Sequence, residues 1–316
     1  MSVKDKVAIC IKEKMSASNI AKLCSISLQD VFDTVNALGE RGVYFYPTYN
    51  SDGEIVYTEK KQKLEDPIKL RAKNGMMSFV GISDLHVGNV YDDLKRVDTV
   101  FNYIIDNNIH LVINAGDNID GPSHENQSIP RRICTLEEQI EEFLNVYPLL
   151  DDVVTFNVLG DHEKYHKTDD NLSFNQIIKK KRHDIKMFSN GSGIITVNNK
   201  EILLCHDSSD THIKNNLTDE QILIAGHSHE SRTGVYNNGK DLSLRCILPS
   251  LCKLSDYNNV LSGFERIDFE VENGYVKRVY ITFYMFKDNY ELMRGPDNVY
   301  ALQENDSFVR PRRRKM

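Results

Sequence analysis

Residues Ser78 to His86 read Ser-Phe-Val-Gly-Ile-Ser-Asp-Leu-His, an apolar run that ends in a carboxylate and an imidazole two positions apart. A short apolar run bounded by turn-forming residues reads as a buried strand. On an extended segment, residues two apart point the same way, so Asp84 and His86 are offered together at the strand's carboxyl end. The device recurs downstream: LVINAGD ends on Asp117, VVTFNVLGDHE on Asp161-His162-Glu163, ILLCH on His206, and ILIAGHSH on His227 and His229. Loops at the carboxyl ends of strands in an α/β sheet converge on one rim. Five dispersed blocks therefore describe one site, built from the residue types that bind metals.

Between these runs lie helical stretches, LKRVDTVFNYIIDN and TLEEQIEEFLNVYPLL, and the alternation predicts a layered α/β domain. After His229 the pattern is mainly strands, including LSLRCIL, FERIDFEV and VKRVYITFYMF. Upstream, residues 1–60 show helical spacing first and alternation second. Val7 to Met15 form one expected helix; Ser16 or Ser18 caps a second, and Ser27 a third through Leu28, Val31, Phe32, Val35 and Leu38. VYFYPTY and EIVYTE then flank Asn50-Ser51-Asp52-Gly53 as a hairpin. The set resembles a winged helix-turn-helix. Residues 61–75, charged and holding Pro67, read as a linker; 76–308 read as the α/β domain and 309–316, with Arg310 to Lys315 (RPRRRK), as a basic tail.

At 316 residues and 40% hydrophobic, the chain suits one large and one small domain. It holds no apolar run of membrane-spanning length, and MSVKDKVAIC lacks the apolar stretch of a signal peptide, so a cytoplasmic protein without membrane contact is expected. Its six cysteines are scattered, without a CxxC pair, and read as reduced core thiols. A net charge of -7 argues against a surface that is everywhere attractive to phosphate, while leaving room for a local basic patch.

The ordered blocks SDLH, AGDN, GDHE, CHDS and GHSH resemble the calcineurin-like metallophosphoesterase superfamily, whose pattern is D-x-H, GD, GNH, a lone His and G-H-x-H. The resemblance spans Ser83 to His229 and implies a four-layer α/β/β/α sandwich holding two divalent ions. By position, Asp84, His86 and His229 would hold the first ion and Asp161, His206 and His227 the second, with Asp117 bridging. His162 would face the substrate as the proton donor to the leaving oxygen. Mixed imidazole and carboxylate ligation suits manganese, iron, zinc or nickel above magnesium or calcium, and manganese is the expected metal. The chain departs from the pattern at Asp161, where the family has Asn. Three carboxylates then face two divalent ions, leaving one net positive charge in place of two, so metals are held more tightly and phosphate is attracted less.

The accessory domain makes nucleic acid the leading substrate, as in the repair-exonuclease branch of the superfamily: a metal-dependent phosphodiesterase, a nuclease cutting DNA or RNA with water that the two metals activate. The N-terminal 65 residues, however, hold nine Lys plus Arg and nine Asp plus Glu, and the third helix is acidic through Asp30, Asp33 and Glu40. DNA-reading helices ordinarily carry a basic surplus. The alternatives are a phosphomonoesterase whose N-terminal domain docks a protein or forms a homodimer, and a non-catalytic DNA-binding or scaffold protein. Lys179 to Arg182, Arg131, Arg132 and the tail are the cations that could line a nucleic-acid path, and His124 with Arg131 and Arg132 lies on a loop that could reach the site.

Overall fold

The structure, a computed structural model, describes residues 2–39, 45–49, 54–59, 66–122, 131–164, 166–188, 191–207, 221–237, 242–253 and 262–301. Contacts divide the chain into two units: Met1–Lys63 with Ser209–Asn216, and Leu64–Ser208 with Leu217–Met316.

The N-terminal unit holds α1 (Val3–Lys12), α2 (Ala17–Cys24), α3 (Leu28–Gly39) and an antiparallel pair, β1 (Phe45–Tyr49) with β2 (Ile55–Glu59). Helix α1 begins ahead of the expected Val7 because Ser2 and Asp5 cap it reciprocally, each side chain accepting from the other's backbone. Ser16 caps α2, and Ser27 exchanges the same bonds with Asp30 at the start of α3. Val7, Cys10, Ile11, Ile20, Val31, Val35 and Leu38 form its core. The expected hairpin tip at 50–53 lies outside the described residues.

In the C-terminal unit a seven-stranded sheet is built from β4 (Gly75–Ile82), β5 (Leu111–Asn114), β6 (Val154–Asn157), β7 (Ile185–Met187), β13 (Gly263–Glu272), β14 (Tyr275–Phe286) and β15 (Leu292–Ala301), in the order β15-β14-β13-β4-β5-β6-β7. Strands β4 to β7 are parallel, and β13, β14 and β15 add on antiparallel. Parallel neighbours need crossovers, supplied here by α4 (Leu94–Asp106), α5 (Leu136–Val146) and the pair α6 (Asp161–Lys164) and α7 (Phe174–Lys181). Their apolar faces pack on one side of the sheet through Val97, Phe101, Ile104, Ile140, Phe143 and Phe174.

The second sheet has six strands in the order β11-β12-β10-β9-β8-β3: β3 (Ile68–Leu70), β8 (Ser192–Val197), β9 (Lys200–Cys205), β10 (Gln221–Ala225), β11 (Arg232–Asn237) and β12 (Leu242–Ile247). Its inner face meets the first sheet through Ile195, Ile202, Leu204, Ile222, Ile224 and Leu244 against Phe79, Ile113, Phe156, Ile267, Phe269 and Ile281. The result is a mixed α/β sandwich in which every expected run, from FVGIS to ILIAG, is a strand.

Strand β3 corrects the reading of 61–75 as a linker. Ile68 and Leu70 alternate with exposed Lys69, pair in parallel with Ile195 and Val197, and pack on the inter-sheet core. Two apolar positions are too few to register as a period-two pattern. The basic tail, 309–316, lies outside the described residues. All six cysteines are free thiols. Among the described residues no helix is long and apolar enough to cross a membrane.

Candidate metal centre

Each block identified in the sequence sits just past a strand: Asp84 and His86 after β4, Asp117 after β5, Asp161 and His162 after β6, His206 after β9, and His227 and His229 after β10. The first five come from the seven-stranded sheet and its crossovers; the three remaining histidines come from the six-stranded sheet. Both sheets present strand carboxyl ends at the same rim.

The turns that carry these side chains are unusual. Asp84, His86, Asp117, His227 and His229 all have positive φ, between 47° and 70°. Left-handed backbone costs a non-glycine residue about 1–2 kcal/mol, and clusters of such residues mark functional sites. Backbone bonds hold the bends: Asp84 N–H donates to Gly116 O (3.0 Å) and His86 N–H to Asp117 O (3.0 Å). Two glycines make room. A Cβ on Gly160 would lie 2.0 Å from Asp117 Oδ1, and one on Gly226 would lie 1.9 Å from Ser83 Oγ.

The side chains fall into two neighbouring groups that share no residue, and a third, His86 with Asp120 and His162, overlaps the first at His86. Asp84, His86 and His229 bring ligand atoms within 4.8 Å of one another, as do Asp117, His206 and His227. His229 Nε2 stands 3.2 Å from Asp84 Oδ1 and 3.3 Å from His86 Nε2. His206 Nε2 stands 3.1 Å from Asp117 Oδ2 and 3.3 Å from His227 Nδ1. Asp117 Oδ2 is also 3.7 Å from His86 Nε2, which puts Asp117 between the groups. Asp161 joins loosely: its Oδ2 is 3.5 Å from His227 Nδ1, and both side chains are about half exposed (49% and 46%).

The donor chemistry fits cations. His206 Nδ1 lies 2.7 Å from Ala115 O, and a carbonyl can only accept, so Nδ1 carries the proton and Nε2 turns a lone pair toward Asp117 when the ring is neutral. Two such pairs of facing imidazole nitrogens, with buried carboxylate oxygens between them, repel unless protons or metal ions intervene. Asp84 Oδ1 is buried without a hydrogen bond. The protein alone answers with protons: burial opposes charge on His206, but Asp117 outweighs it and pushes the imidazole up to about 10. Burial likewise works against ionised Asp117 and Asp84, yet His206 and His229, respectively, hold them below the usual carboxylate range.

His162 stands beside this group, its Nε2 3.9 Å from Asp117 Oδ2 and its side chain 31% exposed. Its backbone N–H donates to Asp117 Oδ1 (3.1 Å), and its Nδ1 donates to Asp120 O (2.7 Å), leaving Nε2 on the side of Asp117. Burial lowers its basicity, but Asp117 and the Asp120 carbonyl raise the imidazole on balance.

Several contributors are given no role by the sequence reading. Asp120 has its carboxylate 3.5 Å from His86 Nδ1, receives Asn89 Nδ2 (2.9 Å), and pairs with Arg131 Nε (2.7 Å). Beneath the rim, Asn114 Nδ2 donates to Asn118 Oδ1 (2.7 Å) and Asn118 Nδ2 to Glu163 Oε1 (2.8 Å). Burial, with Asp117 nearby, pushes the Glu163 carboxyl up to about 7. The one sequence cue was position: Asp120 stands three residues past Asp117, and Glu163 ends the GDHE block.

The cations singled out in the sequence are largely committed elsewhere. Arg131 is buried on Asp120, and Arg132 is paired with Asp92 (2.7 Å) and Glu142 (3.4 Å). Arg182 is buried, donating to Tyr147 O, Pro148 O and Asp184, so it is a core residue and not part of a basic surface. Lys179 to Lys181 occupy the last turn of α7, where positive charge is favoured. His124 lies outside the described residues.

A sandwich of two sheets whose shared rim gathers aspartates and histidines defines an α/β protein with a candidate metal centre. A family model described as calcineurin-like phosphoesterase matches residues 77–263, and the chain belongs to that family, whose members are in general hydrolases using divalent metals. Similar solved structures include vacuolar protein sorting 29 from Cryptosporidium parvum, at 14% identity over 72% of this chain and 98% of that one, TM-score 0.41. They also include Yfce, a phosphoesterase from E. coli (10% identity; 69% and 98% covered; TM-score 0.41), and a dimetal phosphatase from Danio rerio (10%; 74% and 99%; 0.40). No curated protein matches the sequence.

Proposed function

We propose that the chain is a binuclear metal-dependent phosphodiesterase that acts on nucleic acid. The observation that carries the phosphoesterase reading is the convergence of Asp84, His86, His229, Asp117, His206 and His227 within bonding reach of two ion positions, with His162 beside them. Asp84, His86 and His229 would hold the first ion, Asp161, His206 and His227 the second, and Asp117 both. Manganese is the metal we assign, since imidazole and carboxylate ligands are mixed. Two such ions, when bound, supply Lewis acidity toward a phosphoryl group and toward water.

The protein's own part is positional. Asp84 and Asp117 bring fixed negative charge that holds the histidines in orientation, and the strained turns keep both from relaxing away. His162 keeps its Nδ1 proton on Asp120 O and offers a proton at Nε2 to the departing alkoxide, which needs no covalent nucleophile from the protein.

The substrate reading rests on the N-terminal unit, whose three helices and antiparallel pair support a winged helix that would bind nucleic acid. A second reading has its own observation. Arg131, Arg132 and Arg182 are taken up in ion pairs, and α3 carries Asp30 and Asp33 without a basic residue, which favours a phosphomonoesterase with a protein-docking N-terminal unit. Free thiols throughout fit a cytoplasmic setting.

The test is to assay the manganese-loaded chain on bis-p-nitrophenyl phosphate, on the monoester, and on labelled single- and double-stranded DNA. Preference for the diester with cutting of DNA is expected. Monoester hydrolysed far faster, with both DNAs intact, would overturn the nuclease reading and leave the family alone standing.

A further inference from the structure

Glu265 is a carboxylate buried almost completely (1% exposed) on β13, in the seven-stranded sheet. Among the described residues no cation pairs with it. It receives Cys246 Sγ at 2.7 Å, Ser231 Oγ at 2.9 Å and Thr233 Oγ1 at 3.5 Å, all from the six-stranded sheet. Thr233 and Cys246 are directly opposed on β11 and β12, and Ser231 lies on the same face two positions before Thr233. Ser231 is itself two positions past His229.

The core between the sheets is otherwise mainly Ile, Leu, Val and Phe, with polar ties at its ends, where Asn198 Nδ2 donates to Gly274 O (2.7 Å) and Ser250 Oγ to Asp84 O (3.0 Å). Apolar contact is non-directional and permits small slides of one sheet over the other, whereas hydrogen bonds of 2.7–2.9 Å fix direction. The metal centre takes ligands from both sheets, so its geometry depends on how they are registered. Two of the six-stranded sheet's histidines have their own ties: His206 Nδ1 to Ala115 O, and the His227 backbone N–H to Asp84 Oδ2 (3.1 Å). For the segment leaving His229, the tie to the opposite sheet is Ser231 on Glu265.

Building on the two-metal reading, we infer that Glu265 is a positioning residue: it anchors the strand pair behind His229 to the opposite sheet and so sets the geometry of the ion site that His229 shares with Asp84 and His86. A buried carboxyl without a counter-charge is costly, and this role gives that cost a purpose. Groups that orient metal ligands from behind ordinarily change affinity about 10- to 100-fold when removed.

The test is calorimetric titration of the full-length, metal-stripped chain with manganese chloride, well below its unfolding temperature. The unaltered chain is expected to bind two ions. Glu265→Leu is expected to weaken the tighter site at least about 10-fold, and Glu265→Gln, whose amide oxygen still accepts from Ser231 and Cys246, to restore most of the loss. The double variant Ser231→Ala with Thr233→Val leaves Glu265 in place and removes its hydroxyl donors. It should weaken the same site, and it keeps the test open if Glu265→Leu does not fold. Variants that melt earlier yet bind both ions with unaltered affinity would show a purely structural residue and overturn the inference. An unaltered chain that binds no manganese would overturn the two-metal reading itself, and the positioning role with it.

Discussion

The two halves of the metal centre use the same side-chain types and are built differently. In one, Asp84, His86 and His229 have side chains 0%, 6% and 14% exposed, with all three backbones bent into the left-handed region. In the other, His206 is buried, but His227 and Asp161 are about half open to solvent, and Asp161 is not drawn into the tight group formed by Asp117, His206 and His227. A cation in the closed half would be screened little and would have to break several short contacts to leave; one in the open half would compete with water. The difference also gives Asp161 a reason. Where geometry holds loosely, an anionic ligand in place of a neutral amide recovers attraction.

The largest expected effect comes from the residue that belongs to both halves. Asp117→Ala should lower diester hydrolysis on the order of 10⁴-fold, since several kcal/mol of charge stabilisation are lost at about 1.4 kcal/mol per decade. A loss confined to one ion, seen in metal analysis with activity largely kept, would show that Asp117 serves a single half. Next, His162→Ala should retain both metals and lose roughly 10²- to 10⁴-fold in turnover, less on substrates with good leaving groups. Full activity on a poor leaving group would remove His162 from the chemistry.

Third in size is a pH effect behind the closed half. Burial pushes the Glu265 carboxyl up to about 7 from an ordinary 4.5, against the opposing bonds from Cys246, Ser231 and Thr233. The folded state therefore holds this proton more tightly than the unfolded chain. Its stabilising contribution is complete below about 4.5 and is lost as pH rises through about 7, a swing of roughly 3 kcal/mol. Denaturant melts of the metal-free chain between pH 5 and 8 should show the unaltered protein losing stability relative to Glu265→Gln as pH rises; parallel curves would contradict this. Smallest is Asp161→Asn, expected to fold normally and to lose about 10-fold in affinity at the open half only, through the loss of one negative charge. Equal metal content after dialysis would show that charge at 161 does not decide retention.

Much of this was legible in the sequence because each ligand follows an apolar run and the runs recur in order. Placing Asp84, Asp117, Asp161, His206 and His227 on one rim needed only strand ends and parallel crossovers. What escaped was set by contacts distant along the chain. Glu265 meets Ser231 34 positions away, and Asp120 meets Asn89 31 positions away, so neither carries a local pattern. Arg182 looked like the last of four cations, yet it turns inward to Tyr147 O and Asp184, because a charge run does not say which member faces water. Strand β3 was hidden by its length, and the bends at Asp84 and His86 by the weakness of their signal, since Asp and His are enriched at positive φ but far more often adopt other conformations.

The most direct test of two unequal halves is anomalous diffraction at the manganese edge from crystals of the metal-loaded chain. Two peaks about 3.5–4 Å apart are expected, one among Asp84, His86 and His229 at full occupancy and one beside His206, His227 and Asp161 that empties first on back-soaking. A single peak, or two that empty together, would contradict the account.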